Sequence, residues 1–498
     1  MTHGGEGKMN KTLAALALTT LTAILHAQPS VERMVVRQQW PWNDGIRVEF
    51  VLAGVTSEVD VAVSALIGGE AVAIPDDAIS GPHCGIDRDG AYALTVVPSR
   101  VPALASLARA DDLGFSLSVA PSSAQNREVL YKAFRLADNT WTDITRGEIL
   151  NGDFGAFETD YGRIGNGYTS TLENVCVWTG ITNDTKWATD YIVLRKIPAG
   201  RFDFSPLILS TYFPAADNLS AITYDYWIGV FPVTQAQYED IYAKGNARAT
   251  PWYGNDGAAH YYEYGNVYTN ALFPTASLNT TQVTGHWLSY NTNHVAYAQN
   301  NNFLGRLYAR TGVKFRLPTI FEWTRAYRAG APRTSFYYDG VSTFAITGYN
   351  TVRFADGTTD KATNAYASAL GRYRYNGGAD EGPAPVGSYR PNAFGLYDMF
   401  GDTGEIMQDQ YFTSGNTTTK GYIAAETMKD VGLVDFVGHT NGPDDGTAAY
   451  NIFIAGSWYE GDANMGNNLG VTYAQLNKVA DRKPFAGIRL CIPEADFR

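Results

Sequence analysis

The chain has 498 residues, 45% apolar, 18% charged and 13% aromatic, with a formal net charge of −12. That length allows two or three domains, each able to bury a core, and the apolar share excludes wholesale disorder. The acidic balance speaks against a nucleic-acid partner or an anionic membrane surface, since both call for basic patches.

Residues 1–27 carry the marks of an export signal: Lys8 and Lys11, the apolar run 12–24, then His26-Ala27 ahead of Gln28. The run is short for a bilayer and Pro29 comes soon after it, so no membrane span is expected and the mature chain should be exported, to the periplasm, the cell surface or the medium. The three cysteines, Cys84, Cys176 and Cys491, are too few for a disulfide scaffold. At most one bridge is expected, with Cys176 and Cys491 as the pair to test.

Residues 28–123 read as an all-β sandwich of immunoglobulin or fibronectin type. Its strands are expected at 31–39, 46–53, 59–67, 92–97 and 115–119, and Asn43-Asp44-Gly45, Gly68-Gly69 and Asp89-Gly90 supply turns between them. Residues 124–189, with one expected strand at 131–136, read as a connector packed on the C-terminal domain. Residues 190–493 form one α+β unit, and 494–498 a tail. Within the unit Thr234 caps a helix over 235–244, where Tyr238, Ile241 and Tyr242 share a face. Apolar spacing predicts a second helix over 293–310. Beyond Arg333 the pattern is short strands and long loops, which are functional more often than average.

Six segments stand out in order along the chain. They are Ile197-Pro198-Ala199-Gly200; the run from Trp227 through Pro232-Val233-Thr234 to Tyr238; and Arg316-Leu317-Pro318-Thr319 with Glu322-Trp323 and Ala326. Pro385-Val386-Gly387 through Asn392 then leads into Gly395-Leu396-Tyr397-Asp398-Met399 and Gly401, with Gly456-Ser457-Trp458 and Gly487-Ile488-Arg489 after them. This set resembles the formylglycine-generating-enzyme (sulfatase-modifying-factor) family, which implies a C-type-lectin-like fold. Locally, Thr319 and Glu322 have the spacing of a capping box, Arg316 and Glu322 suit a structural ion pair, and Gly395 and Gly401 sit where turns want positive φ.

The resemblance also implies copper held by two cysteines close behind the Gly-Ser-Trp segment, as soft thiolates suit a cuprous ion. Here those positions are Glu460 and Met465, and a carboxylate with a thioether does not replace two thiolates. The family's tryptophan-bearing stretch after Gly401 has also changed, to Asp402-Thr403-Gly404-Glu405-Ile406. Copper is therefore not expected.

Calcium is the expected metal. Asp398, Gly401, Thr403 and Glu405 align with a calcium loop of the family, and oxygen-only donors on a tight turn suit a hard cation. The bland alternative is a solvated acidic turn. Asn364 and Asp380 form a second candidate, and Asp444-Asp445 reads as a turn. No histidine pair has metal-ligand spacing, and no phosphate loop or nucleophile elbow is present.

The expectation is an exported, non-catalytic binding protein with a glycan or protein ligand. Trp458, Tyr459, Glu460, Asp462, Asn464, Asn468 and Tyr473 would supply ring faces and polar groups for contact, since saccharides are held by that combination. Trp458 has a second reading, as core packing. Two alternatives stand beside the binding role: a formylglycine-generating oxidoreductase acting on sulfatase cysteines, and a ligand-binding protein diversified by a retroelement.

Overall fold

The computed structural model describes residues 28–39, 44–107, 113–159, 175–202, 220–243, 261–263, 266–268, 270–276, 278, 283, 302–330, 345–348, 351–353, 371–372, 382–412, 434–435, 449–454, 475–478 and 486–497. The expected export signal lies outside them.

Seven strands build the N-terminal domain: β1 (Ser30–Gln38), β2 (Ile46–Ala53), β3 (Val59–Ile67), β4 (Glu70–Ala73), β5 (Ile79–Ser80), β6 (Gly90–Val96) and β7 (Leu113–Pro121). They form two antiparallel sheets, β1-β2-β6-β5 and β4-β3-β7. Strict alternation sends Ile46, Val48, Phe50 and Leu52 of one sheet and Val59, Val61, Val63 and Ala65 of the other into a shared core. Gly68 and Gly69 both have positive φ and form the two-residue turn between β3 and β4 that twisted hairpins favour.

The region expected to be a connector is hydrogen-bonded into the next domain. β8 (Val129–Arg135) and β9 (Thr140–Thr145) form a hairpin, and β8 pairs with β10 (Tyr191–Ile197). With β13 (Tyr226–Gly229) and β22 (Cys491–Pro493) they make one sheet in the order β22-β13-β10-β8-β9. Both faces are covered. Ile192 and Leu194 enter one core with Trp227 and Phe303, while Val193 enters another with Tyr131, Trp178 and Val230. Between these strands lie the short pair β11 (Gly200–Phe202) and β12 (Ser220–Ile222), then the two-stranded units β14 (Tyr261–Glu263) with β15 (Asn266–Tyr268) and β16 (Ala345–Gly348) with β17 (Thr351–Arg353). A last sheet has the order β20-β19-β18-β21, from β18 (Gly404–Phe412), β19 (Ala449–Ile454), β20 (Gln475–Lys478) and β21 (Ala486–Gly487).

The helices obey their caps. Thr234 and Gln237 close a capping box over Gln235–Tyr238, and Glu239–Ala243 continues as a wider π turn. Asn302 caps Phe303–Thr311; residues 293–301 of the expected second helix lie outside the described residues. Thr319 and Glu322 form the expected capping box of Ile320–Arg328.

The Cys176–Cys491 pairing singled out for testing is not made, since all three cysteines are free and buried. Cys176 packs with Tyr131 and Trp178, whereas Cys491 lies in β22, where its backbone pairs with that of Arg316.

A polar seam joins the N-terminal domain to the segment that begins at Ser122. The Asn151 side chain accepts from the backbone N–H groups of His83 and Cys84 and donates to the Cys84 carbonyl, at 2.8–2.9 Å. Asp60 accepts from Ser123 N–H and Asn126, and Arg146 faces Asp76. His83 is 2% exposed, with Nε2 3.9 Å from Asp76 and without a hydrogen bond. Burial lowers its pKa, against the opposing pull of the Gly81 carbonyl, Asp76 and Asp60, and with the help of Arg146. The unfolded chain therefore takes up a proton near pH 6.5 that the folded chain resists, so stability contributed here is present above that pH and lost as pH falls below it. Thermal unfolding between pH 7.5 and 5.5 should show this loss in the wild type and a flatter profile in His83→Gln.

Candidate functional site

Four of the six segments meet around one buried ion pair, and several of their residues hold backbone. Arg489 donates through Nε to Glu405 at 2.9 and 3.0 Å and through Nη2 at 2.7 Å. Its other N–H groups reach the carbonyls of Gly229, Val230 and Tyr397 at 2.8–3.0 Å. Trp323 Nε1 donates to Glu405 Oε2 at 2.6 Å. Arg489, Glu405 and Trp323 are all fully buried. The pair thus ties β13, the Tyr397 turn, β18 and the Ile320–Arg328 helix to the last segment of the chain.

A second buried pair supports the first. Arg316 grips Glu322 at 2.6 Å through both Nη atoms, as expected from the sequence, and Tyr224 donates to the same carboxylate at 2.9 Å. Burial pushes the Glu322 carboxyl up, but the charge and hydrogen bonds of Arg316 outweigh it and leave it below the usual range. Arg325 donates to the carbonyls of Pro198, Ala199 and Arg201. A Cβ at residue 200, where φ is +155°, would come within 2.7 Å of its guanidinium, so a larger residue there would displace Arg325. Asn392 ties its own turn to the helix by donating to the Ala326 carbonyl and accepting from the N–H groups of Phe394 and Leu396.

Beside this frame lie two carboxylates of another kind. Asp398 and Asp402 are buried, and both adopt left-handed backbone, with φ of 55° and 58° around Gly401 at 73°. Asp398 Oδ2 accepts from Gly387 N–H at 2.7 Å and Asp402 Oδ1 from Ala384 N–H at 2.8 Å. Asp398 Oδ1 and Asp402 Oδ2 have no hydrogen-bond partner. Burial pushes the Asp398 carboxyl up to about 7, with Glu405 adding to the shift and Gly387 N–H and Arg489 opposing it. Asp402 is raised well above the carboxylate range, by burial first and then by the charge of Asp398.

The expected calcium donors fit in part. Asp398 keeps a free oxygen, but both oxygens of Glu405 are engaged by Arg489 and Trp323, and the Gly401 carbonyl accepts Thr403 N–H at 2.8 Å. Among the described residues no three His, Cys, Asp or Glu side chains stand together as a metal-holding group. Sequence reading missed Asp402, although its place directly after a positive-φ glycine is a local signal for a turn residue, and Asp tolerates such backbone better than most.

The expected contact residues Trp458, Tyr459, Glu460, Asp462, Asn464, Asn468 and Tyr473 lie outside the described residues, as do Asn364, Asp380 and Asp444-Asp445. The chain on either side of 455–474 is described: β19 pairs with β20, with Phe453 opposite Gln475.

The chain belongs to the family of sulfatase-modifying factor enzyme 1-like domains, whose model matches residues 185–493, more than half of its length. Solved structures similar to it include Treponema denticola variable protein 1, at 15% identity and a TM-score of 0.34, covering 60% of this chain and 95% of that one. PvdO from Pseudomonas aeruginosa is 16% identical with a TM-score of 0.36, over 60% of this chain and 94% of its own. CarF is 15% identical with a TM-score of 0.33, over 61% and 98%. A search of curated proteins returns no match. Among the described residues no helix is long and apolar enough to cross a membrane.

Arg489→Met should lower unfolding free energy by about 3–5 kcal/mol, because it strands Glu405 as a buried, unpaired charge. Denaturant unfolding monitored by circular dichroism measures this. The double variant Arg489→Met/Glu405→Gln should recover part of the loss.

Proposed function

We propose that this chain is an exported, non-catalytic binding protein that uses its sulfatase-modifying-factor domain to engage a glycan or a protein. One observation carries the reading, namely the thiol inventory. The chain has three cysteines, and none falls at the positions where the family's copper pair would stand, Glu460 and Met465. All three are free and buried, Cys84 and Cys176 in one core and Cys491 in β22. Burial pushes each thiol up, Cys491 well above its ordinary value, so none is poised as a thiolate.

The ligand-contact residues under this reading are Trp458, Tyr459, Glu460, Asp462, Asn464, Asn468 and Tyr473. Support comes from their composition and from the β19–β20 pairing, which sets the two ends of their segment side by side on one sheet. The domain is read as C-type-lectin-like and the N-terminal sheets as an immunoglobulin- or fibronectin-like spacer. Calcium is the proposed metal, with Asp398 among its ligands. Export rests on the basic start, the apolar run and the small residue of 1–27.

Two assays test the proposal. Purified protein incubated with copper(I) and a sulfatase-type cysteine peptide should retain no stoichiometric copper and leave no aldehyde on the peptide by mass spectrometry. Appearance of that aldehyde would move the reading to the oxidoreductase. A glycan and protein-binding screen with the full exported chain should give a ligand whose binding falls at least tenfold in Tyr459→Ala or Asp462→Ala. Silence of the whole screen, with and without calcium, counts against a binding role.

A further inference from the structure

We infer that the outer face of the β1-β2-β6 sheet binds a carboxylate-bearing (uronate) polysaccharide through Arg33, Arg37 and Arg47. This gives the N-terminal domain, read above as a spacer, a ligand of its own, independent of the 455–474 segment.

Strand alternation builds the face. Val48, Phe50 and Leu52 turn into the core, so Arg47, Glu49 and Val51 turn away from it. Register sets Arg37 of β1 opposite Arg47 and Arg33 opposite Val51, while Ala93 and Ala91 of β6 lie beside Glu49 and Val51. These residues line one open trough of about 360 Å³, which falls within the range of ligand sites. The short side chains of Ala91 and Ala93 leave room on β6, and the long arginines of β1 and β2 wall it.

Charge in this trough is unmatched. Arg37 and Arg47 are direct cross-strand neighbours, an arrangement of like charges that costs stability unless an anion lies between them. Glu49 supplies one, with Oε2 3.5 Å from Arg37 Nε and Oε1 3.0 Å from Arg47 Nε. That single carboxylate serves two guanidiniums, and Arg33 has no ion-pair partner among the described residues. Two positive charges are thus left over, on a chain whose net charge is −12. A guanidinium fork matches a carboxylate with two parallel hydrogen bonds, and Glu49 already shows that these arginines accept one. Arg33 and Arg37 stand four residues apart, about 13 Å along the strand, so their forks form a row. A chain with repeated carboxylates can meet that row in turn, whereas a lone anion uses only part of it.

The floor decides the class of polymer. Phe50 and Tyr92 also border the trough, but their rings stack on each other at 5.8 Å and the Tyr92 hydroxyl donates to the Arg88 carbonyl. Neither is set out as a platform on which a nucleic-acid base would stack. Alanine methyl groups give a protein partner little apolar surface in which to seat an anchor residue. A uronate chain asks for neither, since its carboxylates meet the guanidiniums and its sugar rings lie against the methyl groups.

Full-length protein is titrated with galacturonate oligomers by calorimetry, at low and at high salt. Wild type should bind, with affinity falling as salt screens the charges. Arg33→Gln and Arg37→Gln should each weaken binding at least fivefold. Both side chains are exposed, so melting temperatures should not change. Arg135→Gln, the same loss of charge on β8, should bind like wild type. Silence of the wild type overturns the site, as does equal binding by all four proteins. The methyl-esterified oligomer should not bind, and binding by it would show that carboxylates are not what is recognised. If polyglutamate binds and the uronate does not, the occupant is a peptide and the proposal falls. Tyr459→Ala should leave this binding unchanged, and a loss there would place the oligomer on the 455–474 segment instead.

Discussion

The Arg489–Glu405 pair is the interaction on which the domain is organised. A buried guanidinium with all its N–H groups placed is a rigid hub, and this one reaches strand, turn and helix from the final segment of the chain. Burying two charges is expensive, and their attraction offsets that expense only when every remaining donor and acceptor is satisfied. Here Trp323 and three carbonyls complete the set. Such a pair adds little net stability over an apolar alternative, but it enforces one arrangement of the elements it joins, because any other leaves a bare charge inside.

Other residues of the family segments share that duty. Arg316 and Asn392 donate to backbone carbonyls, Glu322 caps the first turn of its helix, and Arg325 beside them holds the Pro198–Arg201 stretch. They are needed whatever the surface does.

Asp398 and Asp402 are held under different terms. Their backbone is kept in a conformation that non-glycine residues seldom adopt, and their carboxyls are buried with one oxygen each unanswered. Strain and unmet polar groups of this kind gather where a structure is prepared for something else. The turn lies one residue from the Arg489-bound Tyr397 carbonyl. The turn therefore abuts the same frame that the ion pair holds.

Local patterns were legible in the sequence wherever neighbours along the chain decided the outcome. Alternation placed β2 and β3, the Gly68-Gly69 turn closed its hairpin, and the Thr319–Glu322 spacing announced both a helix start and the acid that Arg316 grips. The family segments named the domain because their order survives in one dimension. What sequence could not show was set by groups far apart along the chain. Residues 124–189 looked like a connector because nothing local reveals that β8 pairs with the distant β10. Cys176 and Cys491 were the pair to test, and folding leaves both as free, buried thiols. Glu405 was read as a metal donor, and nothing near it in the sequence announces that Arg489, 84 positions later, forms a buried ion pair with it. Hydrogen bonding between distant residues is decided by the path of the backbone in space, and no count of residue types along the chain contains that path.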